Sequence, residues 1–209
     1  MACPSEIVCK VPANRPVVGR FAPSPTGRMH AGNIFAALMA WLVAKSQGGS
    51  IVLRIEDLDR ERSKACYIDA VQRDFEALGL TWDKGPYFQH DRDEAYREAF
   101  RLLQNKGLVY PCFCSRADLH AASAPHRGEK FVYPGTCKNL TDEQRKERAL
   151  TRKPAQRLIV PDAVYAFADL VQGGYRQNLA TECGDFLVQR SDQAFAYQLA
   201  WWSMTRLKA

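Results

Sequence analysis

The sequence predicts an α/β fold in which helices flank a parallel sheet, and three observations in the first sixty residues support it. Val17 and Val18 lead into a short apolar run that is typical of a strand. From Gly32 onward, apolar residues recur at the spacing of an amphipathic helix. Residues 51–55 are rich in β-branched side chains and predict a second strand. Strand, helix and strand in this order form the unit from which parallel sheets are built.

The composition is that of an ordinary globular protein. The chain has 209 residues, and its hydrophobic content of 46% is ample for a buried core. A net charge of +6 is compatible with a polyanionic partner such as nucleic acid, although a basic surface explains the charge equally well. No apolar run reaches the ~18 residues that span a bilayer, and Pro4 and Glu6 interrupt the region of a signal peptide. We therefore expect a cytoplasmic protein with no membrane partner.

A loop rich in proline and glycine connects the first strand to the helix, within residues 20–33. Its sequence, Arg-Phe-Ala-Pro-Ser-Pro-Thr-Gly-Arg-Met-His-Ala-Gly-Asn, excludes regular structure until the helix begins. The loop brings His30, Gly32 and Asn33 to the helix N-terminus. Because free backbone N–H groups and the helix dipole favour a phosphate there, this segment predicts a nucleotide-binding loop.

Charged residues follow the second strand. They are Arg54, Glu56, Asp57 and Asp59. Ligands of open α/β sheets bind beyond the carboxyl ends of the strands, so these side chains are expected to share a crevice with the loop. A second interpretation stays open, in which the carboxylates cap the next helix and form surface salt bridges.

The other elements are predicted from shorter patterns. Two amphipathic helices are expected to end at Gly79 and Gly107, and the aromatic residues between them, Trp82, Tyr87 and Phe88, are expected in a loop that packs on the core. Residues 1–16 contain three prolines and are expected to form a flexible leader. Short strands are predicted at 157–160, 165–170, 185–190 and 195–199.

Three cysteines in one region predict a metal site. Cys112 and Cys114 form a C-x-C pair, and Cys137 follows after a polar loop. Thiolates suit zinc, which takes four tetrahedral ligands, and the role of such a site would be structural. The fourth ligand stays open among Tyr133, His120 and His126, with imidazole the default on chemical grounds, and three free thiols are the alternative.

Several long motifs, in order from about residue 17 to Ala200, carry a family resemblance. They are Arg20-Phe-Ala-Pro-Ser-Pro-Thr-Gly, His30-x-Gly-Asn, Arg54-Ile-Glu-Asp-Leu-Asp, Asp185-Phe-x-x-x-Arg-Ser-Asp and Ala196-Tyr-x-Leu-Ala. The chain resembles the catalytic domain of class I glutamyl-tRNA synthetases. Within that group it is most similar to the short glutamyl-queuosine tRNA(Asp) synthetases, which lack an anticodon-binding domain. The resemblance implies a class I synthetase-type Rossmann-like parallel sheet with helices and a small zinc-binding insert.

The resemblance also implies the residues of the site. His30 and Asn33 would be catalytic, within a HIGH-type signature in which Asn33 replaces the second histidine. The residues implied to bind glutamate are Arg20, Phe21, Ala22, Pro23, Ser24, Glu56 and Tyr197, although an ordinary sheet-surface tyrosine is the default for Tyr197 from its pattern alone. The residues implied to bind ATP are Pro23, Thr26, His30, Gly32 and Asn33. For the metal the resemblance favours Cys112, Cys114, Tyr133 and Cys137, with Tyr133 as the fourth ligand.

The reaction implied by the resemblance is the activation of L-glutamate by ATP, with Mg²⁺, to glutamyl-adenylate. Transfer of glutamate to the queuosine base of tRNA(Asp) would follow. We expect a monomer with one structural zinc. The alternatives are a fragment of a glutamate–tRNA(Glu) ligase and a non-catalytic, zinc-bearing tRNA-binding module.

The resemblance divides the chain into five segments. Residues 1–16 would be the leader, 17–110 the first half of the catalytic domain, 111–155 the zinc-binding insert, 156–200 the remaining strands and 201–209 an aberrant tail. The family would continue with Val-Val-Val-Asp-Asp-Ala and a KMSKS-type loop, and codons for residues 201–206, read one base earlier, can spell that hexapeptide. We therefore expect that a frameshift removed the second half of the fold and impaired the chain. Sequencing the DNA beyond the Ala200 codon tests this.

Overall fold

The computed structural model describes residues 5–8, 16–115, 117–119, 132–169 and 171–206. For residues 5–8, 201, 202 and 204–206 it describes the backbone alone. The chain divides into two compact units, an N-terminal unit of residues 12–95 and a larger unit of residues 1–11 and 96–209. No helix in the described ranges is long and apolar enough to cross a membrane.

Nine strands and six helices are defined in the described part of the chain, together with a 3-10 turn at His90–Arg92. The strands are β1 (Ser5–Val8), β2 (Val18–Phe21), β3 (Ser50–Ile55), β4 (Lys84–Phe88), β5 (Val109–Cys112), β6 (Ala155–Leu158), β7 (Ala163–Asp169), β8 (Gly173–Asn178) and β9 (Leu187–Gln189). The helices are α1 (Ala31–Lys45), α2 (Ala65–Ala77), α3 (Asp93–Asn105), α4 (Asp142–Thr151), α5 (Leu179–Glu182) and α6 (Tyr197–Arg206).

The N-terminal unit contains the predicted parallel sheet. Its strand order is β2-β3-β4, and both pairs of neighbours are parallel. Ile51, Leu53 and Ile55 of β3 are fully buried and form a core with Phe21 and Phe75. Because all three strands are parallel, their carboxyl ends lie at one edge, which is where ligands of such sheets bind.

The strand β4 corrects the prediction of a loop at Tyr87 and Phe88. Gly85 and Pro86 lie inside β4, and in a sequence such a pair indicates a turn. At Gly85 the φ angle is +97°, and a Cβ atom there would lie 2.3 Å from the carbonyl oxygen of Leu53. Glycine therefore allows β4 to pass close to β3 where their register shifts. Trp82 and Phe88 do pack against the core, as predicted.

The larger unit contains two further sheets. One is antiparallel, with the order β5-β6-β9, and it lies next to the cysteine cluster in sequence. The other has the order β1-β7-β8, in which β1 is parallel to β7. Residues 5–8 therefore form a strand where a flexible leader was expected, because the Ile-Val pair extends alongside β7.

The helix α6 corrects a second prediction, that of a strand at 195–199. Leu199, Ala200 and Ser203 are buried at helical spacing. The Ser203 hydroxyl donates a hydrogen bond to the carbonyl oxygen of Leu199 at 2.9 Å. Five residues of polar alternation are too few to distinguish a strand from the first turn of a helix.

Candidate functional site

The helix α1 begins at a cap formed by two of the predicted site residues. Nδ1 of His30 accepts a hydrogen bond from the backbone N–H of Gly32 at 3.2 Å. The side chain of Asn33 accepts one from the N–H of His30 at 3.1 Å, which completes a capping box. The structure thus brings His30, Gly32 and Asn33 together as predicted. The cap already occupies the Gly32 N–H, so a phosphate at this position competes with the imidazole for it.

The loop after β2 contacts the end of β3 directly. The backbone N–H of Glu56 donates to the carbonyl oxygen of Pro23 at 2.9 Å, and Thr26 closes a turn on Ser24 at 2.8 Å. These contacts support the crevice predicted from the two strand ends. The side chain of Phe21 is buried and lies 4.8 Å from the ring of Phe75, so any contact that Phe21 makes with a substrate belongs to its backbone.

The charged residues after β3 are buried more deeply than surface salt bridges are. Arg54 and Glu56 form an ion pair in which the side chains are 4% and 8% exposed. Asp57 is also buried; it accepts a hydrogen bond from the N–H of His90 at 3.1 Å and pairs with Nδ1 of His90. Asp59 is exposed and accepts a hydrogen bond from the N–H of Arg62 at 3.3 Å, within the turn that precedes α2. The N-cap of α2 is Lys64, and no side chain forms a cap hydrogen bond there, so the interpretation of these carboxylates as caps of that helix is wrong.

Two further residues lie at this edge, His90 and Gln89, and no motif in the sequence predicts them. His90 is the partner of Asp57, as described above. Gln89 follows β4, its N–H donates to the carbonyl oxygen of Ile55 at 3.1 Å, and its side chain is buried. The amide group of that side chain has no hydrogen-bond partner among the residues that the structure describes. Both residues directly follow β4. The sequence could have placed them at this edge only if residues 84–88 had been predicted to form a strand.

Tyr197 belongs to the larger unit and begins α6. Its side chain is 51% exposed and lines a largely apolar cavity of about 650 Å³, with residues that include Leu103, Phe186 and Val188. Tyr197 is therefore a helical residue rather than the sheet residue that its pattern favoured. Its role toward glutamate stays a prediction.

The three cysteines converge, as predicted, into one buried cluster. The Sγ atoms of Cys112, Cys114 and Cys137 lie within 4.8 Å of one another, with 3.6 Å between those of Cys114 and Cys137. The hydroxyl oxygen of Tyr133 lies 3.4 Å from the sulfur of Cys112 and 3.7 Å from that of Cys114. The same oxygen accepts a hydrogen bond from the N–H of Cys137 at 3.0 Å.

These distances fit a tetrahedral zinc site. Zinc at about 2.3 Å from each thiolate places two sulfur ligands about 3.8 Å apart, close to the separations in the cluster. The three thiols and the phenol provide four donor atoms, and within the described ranges no other group of three or more metal-binding side chains is found. His120 and His126, the other candidates for the fourth ligand, lie outside the described residues.

Hydrogen bonds distinguish the thiols electrostatically. Burial opposes the ionisation of Cys112, but hydrogen bonds with Tyr133 and Arg157 outweigh it and lower the pKa of this thiol. Burial raises the pKa of the Cys114 thiol to about 11, and the nearby sulfur atoms of Cys112 and Cys137 add to that effect. Burial also raises the pKa of Tyr133 far above its usual range. Hydrogen bonds therefore favour ionisation of the Cys112 thiol over that of the Cys114 thiol.

Residues 16–202 match the family model of the class I tRNA synthetases (E and Q), catalytic domain. The chain belongs to this family. The curated relatives include the Glutamyl-Q tRNA(Asp) synthetase of Symbiobacterium thermophilum, which is 47% identical over 194 residues and of which the chain covers 60%. The protein of the same name from Nitratidesulfovibrio vulgaris is 45% identical with the same coverage, and both matches use 87% of this chain. The chain thus spans about 60% of the length of these relatives.

Solved structures of the family share the fold. A glutamate tRNA ligase from Elizabethkingia meningosepticum, crystallised in complex with its amino acid, superimposes with a TM-score of 0.73. Its sequence is 26% identical, and the alignment covers 91% of this chain and 42% of the ligase. The class I synthetase fold predicted from the motifs is therefore confirmed.

Proposed function

We propose that the chain is the catalytic part of a ligase that activates L-glutamate with ATP and transfers it to the queuosine base of tRNA(Asp). One observation carries the proposal: the carboxyl edge of the parallel sheet joins the Pro23 loop, the buried Arg54–Glu56 pair and the capped start of α1. The names of the curated relatives support this choice of amino acid and tRNA.

In the first step, a carboxylate oxygen of glutamate attacks the α-phosphorus of ATP, and pyrophosphate leaves. Negative charge builds on the α-phosphate, so donors aimed at it lower the barrier. Because Nδ1 of His30 accepts a hydrogen bond from Gly32, a neutral imidazole carries its proton on Nε2 and can donate it to a phosphate oxygen. His30 is the proposed donor, and Asn33 fixes the backbone of His30 through the cap.

Glutamate would bind beside this helix start through charged partners. The Arg20 guanidinium suits a carboxylate of the substrate, and the Glu56 carboxylate suits its ammonium group. The ion pair with Arg54 holds Glu56 in a defined orientation. Ala22, Pro23 and Ser24 complete the proposed pocket of the N-terminal unit, with Thr26 and Gly32 assigned to ATP. Tyr197, in the larger unit, is the remaining residue proposed to act on glutamate. Magnesium accompanies ATP as the counter-ion of its phosphates.

The cysteine cluster would hold one structural zinc through Cys112, Cys114, Tyr133 and Cys137. When bound, the ion cross-links the end of β5 to the turn that contains Tyr133 and Cys137. The chain's own contacts already bring these segments together, since the N–H of Phe113 donates to the sulfur of Cys137 at 3.4 Å. The contribution of the metal is to stability rather than to the transfer step.

On α1 the large apolar side chains of Phe35, Met39, Leu42 and Val43 are exposed. Apolar surface of this kind favours association in solution. Two versions of the protein are therefore assayed: the 209-residue chain, and the same chain continued past Ala200 in the shifted reading frame, called the extended chain.

The activation step is tested by glutamate-dependent exchange of labelled pyrophosphate into ATP, measured on the extended chain. Exchange that requires L-glutamate and is absent with L-aspartate or L-glutamine supports the proposal. Charging of tRNA(Glu) by the same protein would favour the alternative, a glutamate–tRNA(Glu) ligase, which the solved neighbour suggests. Retained tRNA binding with no exchange would instead indicate a non-catalytic binding module.

A further inference from the structure

Arg157 on β6 lies against the cysteine cluster and makes three contacts with one guanidinium group. Its Nε donates a hydrogen bond to the sulfur of Cys112 at 3.2 Å, and its Nη1 donates to the carbonyl oxygen of Asp185 at 2.6 Å. The carbon atom of the guanidinium lies 3.6 Å from the centroid of the Tyr133 ring. The residue is only 6% exposed, so all three contacts are shielded from water.

A buried cation of this kind requires a negative partner. Arg157 forms no ion pair with a carboxylate among the residues that the structure describes. Asp185 offers Arg157 its carbonyl oxygen, because its carboxylate already accepts from the Val160 N–H, the Tyr110 hydroxyl and the Lys138 ammonium. Among the described residues, the side-chain atom to which Arg157 donates a hydrogen bond is the sulfur of Cys112.

Arg157 is the closer of two arginines that, in the described part of the chain, contact the sulfur atoms of the cluster. Its Nε lies 3.2 Å from the sulfur of Cys112, whereas Nη1 of Arg148 lies 3.9 Å from the sulfur of Cys137. The guanidinium plane also lies over the Tyr133 ring, where it limits the rotation of the phenol away from the thiols.

We propose that Arg157 is a positioning residue of the metal centre, one that orients the Cys112 sulfur through its hydrogen bond and fixes the Tyr133 ring through its guanidinium group. The inference rests on the proposed zinc site. It adds a residue outside the ligand set whose loss weakens metal binding without removing a ligand. Partners of this kind typically change metal affinity by about 10- to 100-fold when they are replaced.

The test compares the purified 209-residue chain with its Arg157→Leu and Arg157→Lys variants. Zinc affinity is measured by competition with a chromogenic chelator, and cobalt(II) replaces zinc for absorption spectra. Arg157→Leu should lower zinc affinity by about 10- to 100-fold. It should also move the thiolate-to-cobalt charge-transfer band to longer wavelength, because the Cys112 sulfur loses its hydrogen bond. Arg157→Lys retains the positive charge but not the planar guanidinium group, so its zinc affinity should lie between those of the parent chain and Arg157→Leu.

Arg190→Leu is the matched control, since Arg190 lines the same 470 Å³ cavity as Arg157 and pairs with Asp192. It should keep the affinity and the spectrum of the parent chain. Parent-like affinity and spectra in both Arg157 variants, with only a lower unfolding temperature, would overturn the inference and leave a purely structural residue. If Arg157→Leu does not fold, Arg157→Lys decides in the same way. If the parent chain binds no zinc, the proposed metal site itself is wrong. This outcome can be distinguished from failure of the Arg157 inference because it is measured on the parent chain without any variant.

Discussion

At the residue scale, His30 has two roles that use different nitrogen atoms of one imidazole ring. In the structure its Nδ1 caps α1, and the proposed chemistry needs Nε2 for a phosphate. Replacement with alanine should remove both functions. We expect His30→Ala to slow pyrophosphate exchange by about 10²- to 10³-fold, as for the loss of one transition-state donor.

The variant His30→Asn separates the cap from the chemistry. Asparagine is a strong N-cap residue, so this variant should keep the stability of α1 while losing the phosphate donor. Thermal unfolding and exchange are measured on both variants in the extended chain. Parent-like exchange in His30→Asn would show that His30 serves α1 alone.

Glu56 is the second residue on which the proposal depends, because it is the partner of a buried arginine. Glu56→Gln leaves Arg54 without its counter-charge, and losing one member of a buried pair costs about 3–5 kcal/mol of unfolding free energy. Urea denaturation measures this loss, and calorimetric titration with glutamate measures the accompanying loss of binding. The exposed Asp59→Asn is the control and should change neither quantity appreciably. Equal stability of Glu56→Gln and the parent would contradict the buried pair.

Asp185 gives a prediction about pH. Although burial raises its pKa, hydrogen bonds from Val160 and Tyr110 and the contact with Lys138 lower the pKa below the usual range. The folded state thus favours the ionised carboxylate, and this stabilisation is present above the unfolded pKa of about 3.9 and is lost as the pH falls through the folded value. Asp185→Asn should destabilise the chain by about 1–3 kcal/mol at pH 7.

The same difference should shrink as the pH falls below about 4, because the Asp185 carboxylate of the unfolded chain becomes protonated first and that of the folded parent follows at lower pH. Denaturation of parent and variant at pH 7, 5 and 3.5 measures the trend. A constant difference across this range would mean that the charge of Asp185 contributes nothing to the fold.

At the scale of elements, the stability of the cysteine cluster should depend on zinc. The turn that contains Tyr133 and Cys137 depends on few backbone hydrogen bonds, so zinc should stabilise it strongly. Cys137→Ser should lower zinc affinity more than Tyr133→Phe does, because a thiolate is the stronger ligand. Both variants are titrated with zinc against a chelator, with the exposed thiol variant Cys66→Ser as control. Equal affinities of the parent and Cys137→Ser would exclude this cysteine as a ligand.

The elements that the sequence predicted are those with a strong local pattern. Strands β2 and β3 and helices α1, α2 and α3 have clear periodicity or glycine stops, and the structure confirms each of them. The strand β4 could not be predicted because Gly85 and Pro86 locally favour a turn. These residues adopt a strand conformation through the pairing of β4 with β3. The strand β1 was hidden in the same way, since four residues become a strand only alongside β7.

The same distinction between local patterns and long-range contacts applies to the candidate site. Its cap and its thiol cluster could be predicted because each depends on residues with a distinctive chemistry at short or recognisable spacing. The Asp57–His90 pair and the contacts of Arg157 could not, because 33 and 45 residues respectively separate the partners and the distance closes only in the folded sheets. Family resemblance named ligands and pocket residues, but it gave no account of what holds them.

At the scale of the whole molecule, the chain consists of the family's catalytic domain and spans about 60% of its curated relatives. The two units carry different parts of the proposed function. The N-terminal unit holds the glutamate and ATP loop with Glu56, and the larger unit holds the metal cluster and Tyr197. Transfer of glutamate to the queuosine base of tRNA(Asp) is the central claim of the proposed function.

Transfer of labelled glutamate to tRNA tests that claim most directly, and it is measured on the extended chain with ATP and Mg²⁺. Three substrates are compared: tRNA(Asp) that bears queuosine, the same tRNA lacking queuosine, and tRNA(Glu). The account predicts incorporation into the first alone, with a product bond on the base rather than at the 3′ end, so that after ribonuclease digestion the label lies in the fragment that carries queuosine and not on the terminal adenosine. Incorporation into tRNA(Glu), or equal incorporation into both forms of tRNA(Asp), would contradict it.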